Sequence, residues 1–182
     1  MKKYIFVLIA LSVLFTNCKK EQDPFQISKH NIGLLTDTTQ VKDIKDLFTN
    51  DYLFINKPNE YSKSSSIELF NKQGKLLLEI SPLYVNDSLS VIESIRIFDS
   101  KFKTEKGLSI SSTFQDIDNN YTISSIDNLI NSVVISINEI NASITIDKKD
   151  MPANTRFDRN LKIEPAMIPS EAKFKYFMIH WN

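Results

Sequence analysis

Glycine is nearly missing from this chain: three occur in 182 residues, at positions 33, 74 and 107. A glycine-rich loop cradling phosphate is excluded on that count, and each remaining glycine answers a local backbone need. Cysteine occurs once, at position 18, so no intramolecular disulfide can form. Charge of one sign is not in excess, because 22 basic residues balance 22 acidic ones. A nucleic-acid partner would call for a basic face, so none is expected. Only two histidines are present, His30 and His180. They lie far apart in sequence and make no metal-ligand spacing. His180 falls on an alternating strand face and reads as a partly buried structural residue, while His30 reads as a surface residue. No G-x-S-x-G, P-loop, H-E-x-x-H or dinucleotide fingerprint is present. No cofactor or resident metal is expected.

What is present at the start is a leader. Lys2-Lys3 precede the apolar run Tyr4–Phe15, the layout of a secretory signal peptide over residues 1–17. No later apolar run reaches the ~18–20 residues of a membrane-spanning helix. The run Leu14-Phe15-Thr16-Asn17-Cys18 resembles the bacterial lipobox. That resemblance implies acylation of Cys18, which would then become the mature N-terminus, and a cell-envelope location anchored to the outer membrane, periplasmic or surface-exposed. Diacylglycerol plus an N-acyl chain exceeds what stable anchoring needs. The alternative is an ordinary secreted protein with an incidental cysteine. Residues 18–24 then form the lipidated cysteine and its tether. A lysine followed by acids in that tether resembles signals that carry lipoproteins to the outer face of some outer membranes; a plain solvated linker is the alternative.

Residues 25–182 read as one α+β domain. Two stretches match: Gly33–Phe48 and Gly107–Tyr121. In each, a glycine turn leads to a Ser/Thr-capped helix, Thr39–Phe48 or Ser112–Asn119. Val41, Ile44 and Phe48, or Phe114, Ile117 and Tyr121, share one helical face. Strands are expected at 25–32, 52–55, 66–70, 75–80, 91–98, 121–126, 133–137, 142–146, 161–163 and 173–181. Hairpins form around Asn71–Gly74 and Asn138–Asn141, with Asn141 in the place of Gly74 because asparagine tolerates positive φ. The expected fold is therefore two related helix-plus-antiparallel-hairpin units, about 31–82 and 105–152, sharing one antiparallel sheet with helices on one side. A long loop and a closing strand, 148–182, complete it. The repeat order, carried by Gly33/Gly107, Thr39/Ser112, Asp43-Ile44/Asp116-Ile117 and the hairpins, resembles the β-lactamase-inhibitor-protein-like superfamily. That resemblance implies a sheet surface presented to another protein and supplies no catalytic residues.

Asp116-Ile117-Asp118-Asn119-Asn120 begins like a calcium loop, but Tyr121 and Asp127 replace the glycine and glutamate that such a loop needs. A solvated helix face is the better reading. Arg156-Phe157-Asp158-Arg159 holds two of the three arginines around an aromatic, a composition enriched at binding hot spots. Local Arg–Asp pairing is the structural alternative. Phe102, within the charged connector 99–106, is expected to tuck under the sheet. The leading functional expectation is a non-enzymatic envelope lipoprotein that binds a protein partner or stabilises a complex. A glycan or small-ligand binder using Arg156, Phe157, Arg159 and Trp181, with Tyr176 as an addition, is the second reading. A carboxylate-dependent hydrolase is the third.

Overall fold

The computed structural model of the protein describes residues 23–58, 64–156, 158 and 160–181. The described residues are mostly β: among them twelve strands form a four-stranded and an eight-stranded sheet. The expected α+β arrangement, with helix-plus-hairpin units and helices along one side, is not what forms. Three short α-helices occur among the described residues: α1 (Ile44–Leu47), α2 (Phe114–Asn120) and α3 (Ala153–Arg156). Helices of this length cannot form a layer, since few apolar positions exist on any of them and short helices are marginal without tertiary packing.

The large sheet is built from β4 (Tyr52–Asn56), β5 (Ser66–Phe70), β6 (Leu76–Pro82), β7 (Ile92–Ile97), β9 (Ser125–Asn128), β10 (Ser132–Ile137), β11 (Ala142–Asp147) and β12 (Phe174–His180). Its order is β4-β5-β6-β7-β12-β11-β10-β9, and every pairing is antiparallel. Two four-strand meanders thus meet at the β7–β12 seam, and the hairpins expected from sequence are parts of these longer runs. The small sheet is β3 (Leu35–Thr36), β2 (Asn31–Ile32), β1 (Gln26–Ile27) and β8 (Lys103–Thr104), with β1 and β8 parallel. The expected strand 25–32 is in fact two two-residue strands folded against each other.

Strand periodicity of two puts alternate side chains on opposite faces. On the inner face the pairing lines up two continuous apolar rungs. One runs Ile55–Ile67–Ile80–Ile95–Ile179–Ala142–Ile137 and the other Leu53–Leu69–Leu78–Ile97–Phe177–Ile144–Ile135–Ile126. Ile80, Ile95, Ile97, Phe177, Ile179 and Ile144 are essentially inaccessible to solvent. They join one core cluster with Ile27, Ile32 and Leu35 of the small sheet, Ile44 of α1, Phe114 and Ile117 of α2, and Met151, Ile163 and Ile168 of the long connection. Phe102 is buried there too, as expected, edge-on to Phe25 at 5.3 Å between centroids.

Bulges adjust the alternation. In β12 the register shifts opposite Thr145/Ile146, so Phe174 pairs with Ile146 while Tyr176 pairs with Thr145. Strict alternation places Phe174 with Tyr176; the extra residue moves it to the face of Phe177, where the two rings meet at 6.3 Å. Further shifts occur in β5–β6 and β6–β7.

The helix starts also differ from expectation. Thr39 does not cap α1, because its hydroxyl accepts the Thr36 N–H at 2.9 Å. A single 3-10 turn, Val41–Asp43, leads into α1 instead. Helix α2 opens at Thr113 with a capping box, in which the Asp116 carboxylate accepts the Thr113 N–H at 2.8 Å. Both hairpin turns take the expected form: Gly74 has φ +75° and Asn141 φ +51°. The long connection is not bare loop. It contains 3-10 turns at Lys148–Asp150 and Pro165–Met167 and helix α3, and residues 161–163, expected as a strand, are not one. Among the described residues no helix is long and apolar enough to cross a membrane.

Candidate functional site

The outer face of the large sheet is a site that the described residues leave open. Its central row, in register, is Phe54–Glu68–Glu79–Arg96–Met178–Ser143–Ser136–Ser125. Glu68, Glu79, Arg96, Met178, Ser143 and Ser136 are half-buried by their neighbours, and Phe54 and Ser125 are exposed. Its β11, β10 and β9 positions are serines, which leave room above the backbone.

Arg96 is its centre. The guanidinium lies 4.0 Å above the Tyr176 ring centroid and 4.6 Å from that of Phe98. Its Nη1 is 3.6 Å from Glu79 Oε2. Stacking on two rings holds a planar cation in one orientation. Arg96 also sits between Glu79 and Met178 in the row, and so offsets the repulsion expected between Glu79 and its cross-strand neighbour Glu68. A shallow groove of ≈ 300 Å³ opens beside this group, lined by Glu79, Ser81, Arg96, Tyr176 and Met178.

His180 lies on the same face, with Nε2 2.7 Å from Ser143 Oγ. Burial pushes its pKa below the ordinary histidine value, and the nearby Glu93 carboxylate only partly opposes that. The ring is therefore neutral near pH 7 and polar without being charged. Trp181 follows; its indole N–H donates to the Lys29 carbonyl at 3.1 Å and its backbone N–H to that of Glu93 at 2.8 Å. The first bond ties the end of β12 to the β1–β2 turn and the second ties it to β7. Trp181 and His180 line a second depression of ≈ 380 Å³ with Ser136 and Ser143.

Arg156 lies elsewhere, on α3, with Nε donating to the Met151 carbonyl at 2.6 Å. It lines a third cavity, shared with Lys148, Lys149 and Lys175. Arg156 and Trp181 are thus not brought into one pocket. Phe157, Arg159 and Cys18 lie outside the described residues. His30 is exposed, with Nδ1 2.7 Å from Asp37 Oδ2. Among the described residues no group of three His, Cys, Asp or Glu side chains is placed to hold a metal.

Sequence reasoning passed over Arg96. The available signal was its position in β7, where the third arginine of the chain occupies the outward phase of a strand whose inward residues are isoleucines.

No family model matches the chain, and neither does any curated protein. Among solved structures it is similar to the crystal structure of the uncharacterized protein yfeY from Escherichia coli, with a TM-score of 0.54 at 15% identity. That likeness covers 85% of this chain and 99% of the other, and it concerns the fold alone.

Proposed function

We propose that this is a lipid-anchored cell-envelope protein that binds a protein partner on the open outer face of its eight-stranded sheet. The observation that carries the reading is the Arg96–Tyr176–Phe98 stack beside Glu79, half-exposed at the centre of a face that the described residues leave uncovered. Arginine and tyrosine held rigid by stacking lose little freedom on association, and such residues dominate binding energy at interfaces. The serine row beside them allows close approach of another backbone or side chain. Anchoring rests on Cys18 and the lipobox-like run before it.

Site-specific photo-crosslinking in intact cells tests the face. A photoreactive side chain at Met178 should capture a discrete protein partner. The same group at Asp118, exposed on α2, should not. Equal capture from both positions, or none from Met178, counts against the reading. Cys18→Ser should move the protein from the membrane to the soluble fraction; retention in membranes would remove the anchor from the proposal.

A further inference from the structure

A different place in the fold carries a chemical signal of its own. At the end of β11 a cavity of ≈ 620 Å³ is lined by Lys148, Lys149, Arg156 and Lys175, with Asp147 as the one carboxylate among its described lining residues and Asn131 beside it. It shares no lining residue with the Arg96 groove.

Asp147 is already committed. Its carboxylate accepts the Lys149 N–H at 3.0 Å and Lys175 Nζ at 2.9 Å. Those two bonds, the backbone one first, hold its pKa below the ordinary carboxylate range, and Asp147 in turn raises that of Lys175. One cation is thereby neutralised and three remain. Arg156 is oriented by its Nε bond to Met151, and its terminal nitrogens form no hydrogen bond or ion pair among the described residues.

Lys148 is the decisive group. Its backbone is fixed in the 3-10 turn that Asp147 caps, with its N–H on the Asn131 carbonyl at 3.0 Å. The residue is only 5% exposed, and its ammonium is sealed from solvent with no hydrogen-bond partner among the described residues. A lysine in a Lys-Lys-Asp run would ordinarily point into water, as its neighbour Lys149 does. An ammonium that is both buried and unpaired is among the costlier arrangements in a folded protein. A bound anion removes that cost.

We propose that this cavity is an oxyanion-binding site, in which the Lys148 ammonium and the Arg156 guanidinium hold a phosphate-type group of a ligand. Lys149 and the Lys175–Asp147 pair form its rim. Binding requires the long Lys148 side chain to turn so that its buried ammonium meets the cavity the residue lines. Doubly charged tetrahedral oxyanions fit best, because they accept from both the guanidinium fork and the ammonium.

The test follows thermal unfolding of the purified full-length Cys18→Ser protein during titration with inorganic phosphate, against sodium chloride at matched ionic strength. Phosphate should raise the unfolding midpoint saturably. Lys148→Met, which keeps the stem and removes the charge, should shift half-saturation at least about tenfold, the loss of one charge-assisted bond. Without phosphate that variant should be no less stable than the parent. Arg156→Gln, on a partly exposed side chain, should weaken the response as well and serves if Lys148→Met does not fold. Co-sedimentation of the same proteins with phosphatidic-acid vesicles and with phosphatidylcholine vesicles identifies the source. Lys148-dependent binding to the acidic vesicles only places the group on a lipid headgroup; a phosphate response without vesicle binding places it on a soluble ligand. If phosphate acts no differently from chloride, or the variants respond as the parent does, the site does not exist.

Discussion

Phe177 and Met178 are adjacent on β12, yet the two faces of the sheet require opposite responses to the same truncation. Phe177 is fully buried between Ile97 and Ile144 in one apolar rung, with its ring edge-on to Phe174. Met178 lies between Arg96 and Ser143 on the outer face and is half-buried. Phe177→Ala removes a large ring from a site walled by neighbouring strands that cannot collapse into the space. The expected cost is about 3–5 kcal/mol, against a total stability on the order of 5–15 kcal/mol for a domain. At roughly 2–4 °C per kcal/mol for a chain of this size, the melting temperature falls by roughly 6–20 °C. Met178→Ala should cost about 1 kcal/mol or less, as for a partly exposed side chain. Urea unfolding followed by circular dichroism reads both, with m-values compared to check that the unfolded states match. Equal costs, or a larger cost at Met178, would refute the assignment of inner and outer faces, and with it the open face on which the proposed partner binding depends.

Further outcomes follow from the same geometry. Burial pushes the Asp99 carboxyl up, but the Lys75 ammonium at 2.8 Å, the Lys101 N–H at 2.8 Å and the charges of both lysines together hold it below its ordinary value. A depressed carboxyl stabilises the fold above its unfolded pKa of about 3.9 and loses that contribution as pH falls through the lower folded value. Asp99→Asn should therefore lower stability at neutral pH and flatten the acid limb below about pH 4 in a pH series of denaturation curves; an unchanged acid limb would contradict the ion pair. Gly33→Ala should be more damaging than Gly107→Ala. Both glycines have positive φ, +55° and +82°, costing about 1–2 kcal/mol for a side chain. Only at Gly33 would the new Cβ meet backbone, 2.2 Å from the Pro24 carbonyl oxygen. Similar unfolding midpoints for the two variants would show that the close approach is relieved cheaply.

Much of the strand content can be read from the sequence, because its signals are local. The Asn71–Gly74 and Asn138–Asn141 turns, the alternation in β10 and β11 and the burial of Phe102 each depend on neighbouring residues. The helices misled for a physical reason. Val41, Ile44 and Phe48 have helical spacing, but so few turns are available that the apolar positions seat one short turn and no layer. Two-residue strands such as β1 and β8 leave no periodicity at all. Bulges defeat simple alternation, which is why Phe174 stands with Phe177. The Arg96 cluster joins β6, β7 and β12, and no spacing in the chain announces that Tyr176 will lie under Arg96. Lys148 is similar: nothing in a Lys-Lys-Asp run announces that one of its ammonium groups will be buried without a partner.

The seam between β7 and β12 also sets an order of assembly. Each meander pairs strands that are near neighbours in the chain, whereas Ile97 and Phe177 pair across a separation of 80 positions. Closing so long a separation is slow relative to forming hairpins. During synthesis the first meander is complete while its last strand, carrying Ile92, Ile95 and Ile97, is still an unpaired apolar edge. That edge stays open until β12, made last of the twelve, lies down beside it. The half-built sheet is thus the species most exposed to wrong pairing with a second chain, and β12 acts as the latch that ends the exposure.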